Sequence, residues 1–97
     1  MIRHPVLFKL NEGVTRDEPR VAAGVAAFEA LGERIPEVRQ WECAWNITDR
    51  PIAHDFAINC AVDDVEALNR YLEHPDHQAA AGQWREFATW VIADYAF

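Results

Sequence analysis

The chain contains no serine, so serine-nucleophile chemistry is excluded from the outset. Lysine occurs once, at Lys9, and cysteine only twice, at Cys43 and Cys60. Two cysteines build neither a disulfide framework nor a four-cysteine zinc site. Gly-rich phosphate loops and Gly-x-Ser-x-Gly elbows are absent. No apolar run approaches the length of a membrane span or a signal core. Basic residues are also scarce: nine Lys and Arg stand against sixteen Asp and Glu, for a formal net charge of −7. Nucleic acid and anionic membrane are therefore excluded as expected partners, since nothing offsets their phosphates.

What remains is a globular composition. The 97 residues are 51% hydrophobic and include four Trp. That is enough for one domain spanning residues 1–97. A domain of this size buries a modest share of its surface, and pairing with a second copy is a common remedy. Met1 to Pro5 read directly into structure, so the expected compartment is the cytoplasm. Both cysteines are expected to be reduced and buried.

Periodicity divides the chain. Ile2 to Leu10 alternates, with Ile2, His4, Val6, Phe8 and Leu10 on one face. Asn11-Glu12-Gly13 is a turn signal. Thr15 to Glu18 has the capping-box form, with Asp17 an alternative cap before Pro19. A helix with Val21, Val25, Phe28, Leu31 or Gly32, and Ile35 on its apolar face runs to about Arg34, and Ile35-Pro36 ends it. Val38 to Ile47 and Asp55 to Val62 alternate as two strands of a hairpin. Asp63 is the expected cap of a second helix, with Glu66 reaching back and Val65, Leu68 and Leu72 as its stripe. Tyr71 borders that stripe. His74-Pro75 breaks the helix, and Pro75 opens a short further one through Ala81. Trp84 to Phe87 reads either way. Thr89 to Phe97 is the expected last strand. Strand, helix, strand, strand, helix, strand predicts an α+β fold of the ferredoxin-like βαββαβ type, with helices over one face of a four-stranded antiparallel sheet. The other face keeps Pro5, Leu7, Tyr95 and Phe97, and a second copy would cover it.

His4 in the first strand interrupts the apolar face, and Asp94 in the last is a second interruption if it lies on the same side. Each has a bland reading, a core histidine bonded to a carbonyl and a carboxylate reaching solvent. Together they point to an internal network or a small polar pocket. Tyr71 to His77 holds the densest chemistry, because histidine titrates near neutral pH and suits proton transfer. Here too there is a plainer reading, with His74 capping a helix and His77 exposed. A metal site built on His74, Asp76 and His77 lacks a completing ligand, so no metal is expected.

The opening Ile2-Arg3-His4-Pro5-Val6-Leu7-Phe8-Lys9-Leu10, the Ile35-Pro36 pair, the stretch Ala67 to Gln78 with its Tyr-x-x-His-Pro-x-His pattern, and the closing Asp94-Tyr95 resemble the stress-responsive dimeric α/β-barrel family, often called Dabb. The resemblance spans nearly the whole chain. It implies a homodimer in which two four-stranded sheets meet back to back as a barrel. A plant member is a cofactor-free polyketide cyclase performing an intramolecular aldol condensation. Its catalytic tyrosine and histidine match Tyr71 and His77, and two further polar residues match His4 and Asp94. Phe56 stands where that pocket has another polar residue. The resemblance implies a pocket between helices and sheet, lined by Val6, Phe8, Val25, Phe28, Trp90 and Ile92, for a small hydrophobic or aromatic ligand. In the implied chemistry Asp94 orients His77, His77 takes a proton beside a carbonyl, and Tyr71 or His4 holds the enolate oxygen. No metal, flavin or nucleotide cofactor is required. A cofactor-free monooxygenase and a non-catalytic stress-associated ligand-binding dimer are the alternatives.

Overall fold

A computed structural model describes residues 1–97. Its elements are β1 (Ile2–Leu10), α1 (Pro19–Arg34), β2 (Gln40–Trp45), β3 (Phe56–Val62), α2 (Val65–Glu73), α3 (Pro75–Arg85), β4 (Ala88–Ile92) and β5 (Tyr95–Ala96). The strands form one antiparallel sheet in the order β2-β3-β1-β4, with β5 also on β1. This is the ferredoxin-like arrangement, with the helices over one face.

Register stacks the apolar positions in rows across that face. Trp45, Phe56, Phe8 and Trp90 form one row, and Cys43, Ile58, Val6 and Ile92 the next. A third row runs Trp41, Cys60 and His4. Trp84 of α3 descends onto these rows and is fully buried. Its ring lies 4.7 Å from Phe8, 5.0 Å from Phe56 and 5.1 Å from Phe28, centroid to centroid. The indole Nε1–H donates to the Gly24 carbonyl of α1 at 2.9 Å, which satisfies its polar atom in the core. The approach is close at Gly24, where a Cβ would sit 2.9 Å from Trp84 Nε1 and from Phe87 Cζ. The segment that read ambiguously is thus the hub of the core.

Several local expectations need correction. The capping box at α1 is half made: Glu18 Oε2 accepts the Thr15 N–H at 2.8 Å, but neither Thr15 nor Asp17 caps the helix. Glu18 is the N-cap residue, and Pro19 begins the helix where no intrahelical N–H is required. At α2 the cap is Asp64, whose Oδ1 accepts the Ala67 N–H at 2.8 Å, while Asp63 pairs with Arg39. The buried face of α2 also differs from the expected stripe. Val65 is exposed, Leu72 is half-buried, and Ala67, Leu68 and Tyr71 face inward. Ile47 lies beyond β2 in the loop, 97% exposed rather than on the apolar face. Both cysteines are free, but only Cys60 is buried; Cys43, on the outer strand β2 opposite Ile58, is half-buried.

The last strand is broken at Ala93-Asp94. Val6 faces Ile92 and Ile2 faces Ala96, so one register continues through the break and sets Ala93 across from Pro5 and Asp94 across from His4. Odd-numbered residues bond on this side of β1, as Asn11 N–H to Phe87 O and Phe97 N–H to Met1 O show. Pro5 is odd-numbered and has no N–H to donate, so the ladder lapses where it stands.

Candidate functional site

A cavity of about 250 Å³ opens between the helices and the β1–β4 half of the sheet. Thirteen residues line it, nine of them hydrophobic. Of the residues expected there, Val6, Phe8, Phe28, Trp90 and Ile92 form walls. Val25 does not: it is half-buried on α1, beside the inward-facing Gly24, and packs against the core away from the cavity. Ile58, Leu72, Gln78, Ala81 and Arg85 also line it. Strand alternation could have suggested Ile58. The α3 residues had no such signal, because their helix is short and alanine-rich.

His4, Tyr71 and His77 come together on this cavity from β1, α2 and α3. The Tyr71 ring lies 4.6 Å from His77 and 6.0 Å from His4, centroid to centroid. His77 is placed by the junction between α2 and α3. His74 ends α2 and caps α3, its Nδ1 accepting the Asp76 N–H at 3.1 Å. The chain turns back there, and the Leu72 carbonyl, near the end of α2, accepts from His77 Nδ1 at 2.9 Å and from Gln78 Nε2 at 2.7 Å. A carbonyl only accepts, so Nδ1 carries the proton and Nε2 keeps its lone pair. Burial holds His77 below the ordinary histidine range. The Leu72 bond opposes this, and His4, Arg85 and His74 add to the lowering. Neutral imidazole is the favoured form at pH 7.

Asp94 lies elsewhere than the resemblance implied. It does not orient His77; its Oδ1 accepts from His4 Nδ1. The cause is register, since Asp94 sits across β1 from His4, whereas His77 already has its Nδ1 bonded within the helical layer. His4 is buried and Asp94 partly exposed, so the carboxylate meets water on one side and the imidazole on the other. Burial pushes the Tyr71 hydroxyl well above the ordinary phenol range, which keeps it a proton donor. The Cys60 thiol, pushed up to about 12 by burial, is no nucleophile. No group of three or more His, Cys, Asp or Glu has metal-binding geometry. His74 and His77 both spend Nδ1 on backbone.

A model of the stress responsive A/B barrel domain family, Dabb, matches residues 2–97. The chain belongs to the Dabb family. An uncharacterized protein of Streptomyces coelicolor is 75% identical over 97 residues, the full length of both chains. Among solved structures, a dimeric ferredoxin-like protein of unknown function from Thermobifida fusca is 29% identical, with TM-score 0.86, covering 99% of this chain and 90% of that one. A dimeric protein of unknown function and ferredoxin-like fold from Bacteroides fragilis is 28% identical, with TM-score 0.84 and coverage of 99% and 95%. Two enzymes share the fold at 16% identity. Hydroxynitrile lyase from Passiflora edulis has TM-score 0.82 with coverage of 99% and 92%. SnoaB, a cofactor-independent oxygenase from Streptomyces nogalater, has TM-score 0.73 with coverage of 99% and 91%. No helix of this Dabb chain is long and apolar enough to cross a membrane.

Proposed function

We propose that this Dabb protein is a cofactor-independent enzyme that moves a proton at carbon beside a carbonyl in a small aromatic or polyketide-like compound. The observation that carries the reading is the meeting of His4, Tyr71 and His77 on one apolar cavity. Burying polar side chains carries a cost, and their convergence on one cavity supports a chemical role. His77 Nε2 is the base, because its ring is neutral and its tautomer is set by Leu72. The developing enolate oxygen is held by Tyr71 O–H and His4. Asp94 orients the His4 ring by accepting from its Nδ1, the part an acid plays beside a histidine. Phe8, Phe28 and Trp90 hold the ring of the substrate and keep water from the carbanion. Aldol-type cyclisation follows when the enolate meets a second carbonyl of the same molecule. The likeness in fold to a lyase and to a cofactor-independent oxygenase is consistent with such a scaffold.

The protein works as a homodimer in this reading. Leu7, Val91, Tyr95 and Phe97 leave an exposed apolar band on the sheet face away from the helices, and the neighbours from Thermobifida fusca and Bacteroides fragilis are dimeric.

The test is deuterium wash-in. 2,4-Dihydroxyacetophenone is incubated with protein in D2O, and its acetyl protons are followed by NMR. Wild-type protein accelerates exchange, and His77→Ala loses about a hundredfold of that acceleration, as expected of a general base. Tyr71→Phe and His4→Ala lose less. Ligand binding without any exchange would favour the non-catalytic alternative, and oxygen uptake with the same compound would favour the monooxygenase. Equal rates for wild type and His77→Ala would remove His77 from the mechanism.

A further inference from the structure

The charge inside the cavity runs against the charge of the chain. Acidic residues outnumber basic ones sixteen to nine, yet none of the thirteen lining residues is Asp or Glu. The one fixed charge is Arg85, in the last turn of α3. Three arginines have carboxylate partners, in the pairs Arg20–Glu18, Arg39–Asp63 and Arg70–Glu37. Arg85 belongs to no ion pair, and its side chain makes no hydrogen bond within the chain. Its guanidinium lies 5.7 Å from the ring centroid of Trp90, which itself lines the cavity. Arg85 and Ile92 are exposed, so this end is the mouth, while His4 and Tyr71 are buried inside.

From this placement we infer that the cavity selects an aromatic carboxylate, with the ring against Phe8 and Trp90 and the carboxylate on Arg85 at the mouth. The inference rests on the proposed ligand pocket and names the class of compound it takes. A guanidinium presents a planar fork that meets a carboxylate with two parallel hydrogen bonds. The fork here has no internal competitor, and stacking near Trp90 limits its freedom. A cavity of about 250 Å³ fits one substituted ring rather than a fused system. The reacting carbonyl then lies on the inner side of the ring, toward His77 and Tyr71. A carboxylate held at the mouth fixes which ring substituent reaches the base. The helix macrodipole alone also favours a cation in this turn, but it does not require the forked geometry.

The test compares salicylate with salicylamide, its neutral counterpart, by NMR titration of the Trp indole N–H signals. Wild type binds salicylate about tenfold more tightly at low salt, and added salt narrows the gap. Arg85→Gln removes the preference and leaves salicylamide affinity within about twofold. Arg85→Lys keeps the charge but recovers only part of the preference. Equal affinities in wild type, or a preference that survives in Arg85→Gln, would overturn the inference. Because salicylamide reports the pocket without the carboxylate, its binding shows in either case whether the pocket itself stands. Failure of both compounds to bind would overturn the carboxylate inference and the ligand pocket together.

Discussion

Substituting alanine at two glycines of one helix separates propensity from packing. Gly24 and Gly32 both lie within α1, so each change to alanine gains about 1 kcal/mol of helix preference. What each new methyl meets is different. At Gly24 it would lie 2.9 Å from Phe87 Cζ and from Trp84 Nε1, both outer atoms of aromatic rings. At Gly32 it would lie 2.5 Å from Trp41 Cγ, 2.7 Å from Trp41 Cβ and 2.8 Å from Trp41 Cδ1. The Cβ of Trp41 is tied to the backbone of β2 and cannot turn away. Overpacking of a core costs roughly 1–3 kcal/mol, and a clash with inner atoms belongs at the upper end. Gly32→Ala should therefore destabilise by about 2 kcal/mol net, and Gly24→Ala by about 1 kcal/mol or less. Urea unfolding followed by Trp fluorescence measures both, with a lower midpoint and an unchanged slope expected. In a domain of this size the Gly32→Ala loss corresponds to a Tm lower by roughly 8–16 °C. The effect should also reach the site, because the Trp41 ring is 6.2 Å from that of Tyr71. A Gly32→Ala protein as stable as Gly24→Ala would refute the reasoning, since the propensity gain is common to both.

Three further outcomes follow. His77 is held below its unfolded value of about 6.5, so the unfolded chain binds the proton first as pH falls. Its contribution is then fully present above about pH 6.5 and is lost as pH drops toward the lower folded value. His77→Gln should flatten the stability profile in that window, and an unchanged acid slope in urea titrations would rule out a buried neutral ring. Asp94→Asn should slow deuterium wash-in at least about tenfold with folding intact, yet leave the Nδ1–H tautomer of His77 unchanged in 15N NMR, because Leu72 holds that ring. A tautomer that shifts in Asp94→Asn would restore Asp94 as the partner of His77. Leu7→Glu places a charge in the exposed apolar band and should convert a dimer to monomer in sedimentation velocity. A variant that stays dimeric would locate the contact elsewhere, and a wild type that sediments as monomer would refute the dimer.

The site depends on three short structural decisions in the chain. Pro5 interrupts the ladder to the last strand, and Asp94 stands in that interruption across from His4. Asp64 caps α2, and Tyr71 faces inward from that helix. His74-Pro75 ends α2 and starts α3 without a linker, which returns His77 to the Leu72 carbonyl.

The sequence by itself determined the order of the elements and the inward faces of β1, β3 and α1. Period-two alternation marked Ile2–Leu10 to the residue, and Ile35-Pro36 ended α1 at Arg34, because both signals come from the backbone of neighbouring residues. The same alternation singled out His4 as a polar residue in an apolar layer. Tertiary structure decided which groups meet. Asp94 joins His4 rather than His77 because strand pairing sets contacts between residues ninety apart, and no local pattern encodes that register. Val25 misses the cavity and Arg85 reaches it for a related reason. A helical stripe tells which side faces in, but only the packing of α1 and α3 against the sheet leaves a gap, and only that packing decides who lines it.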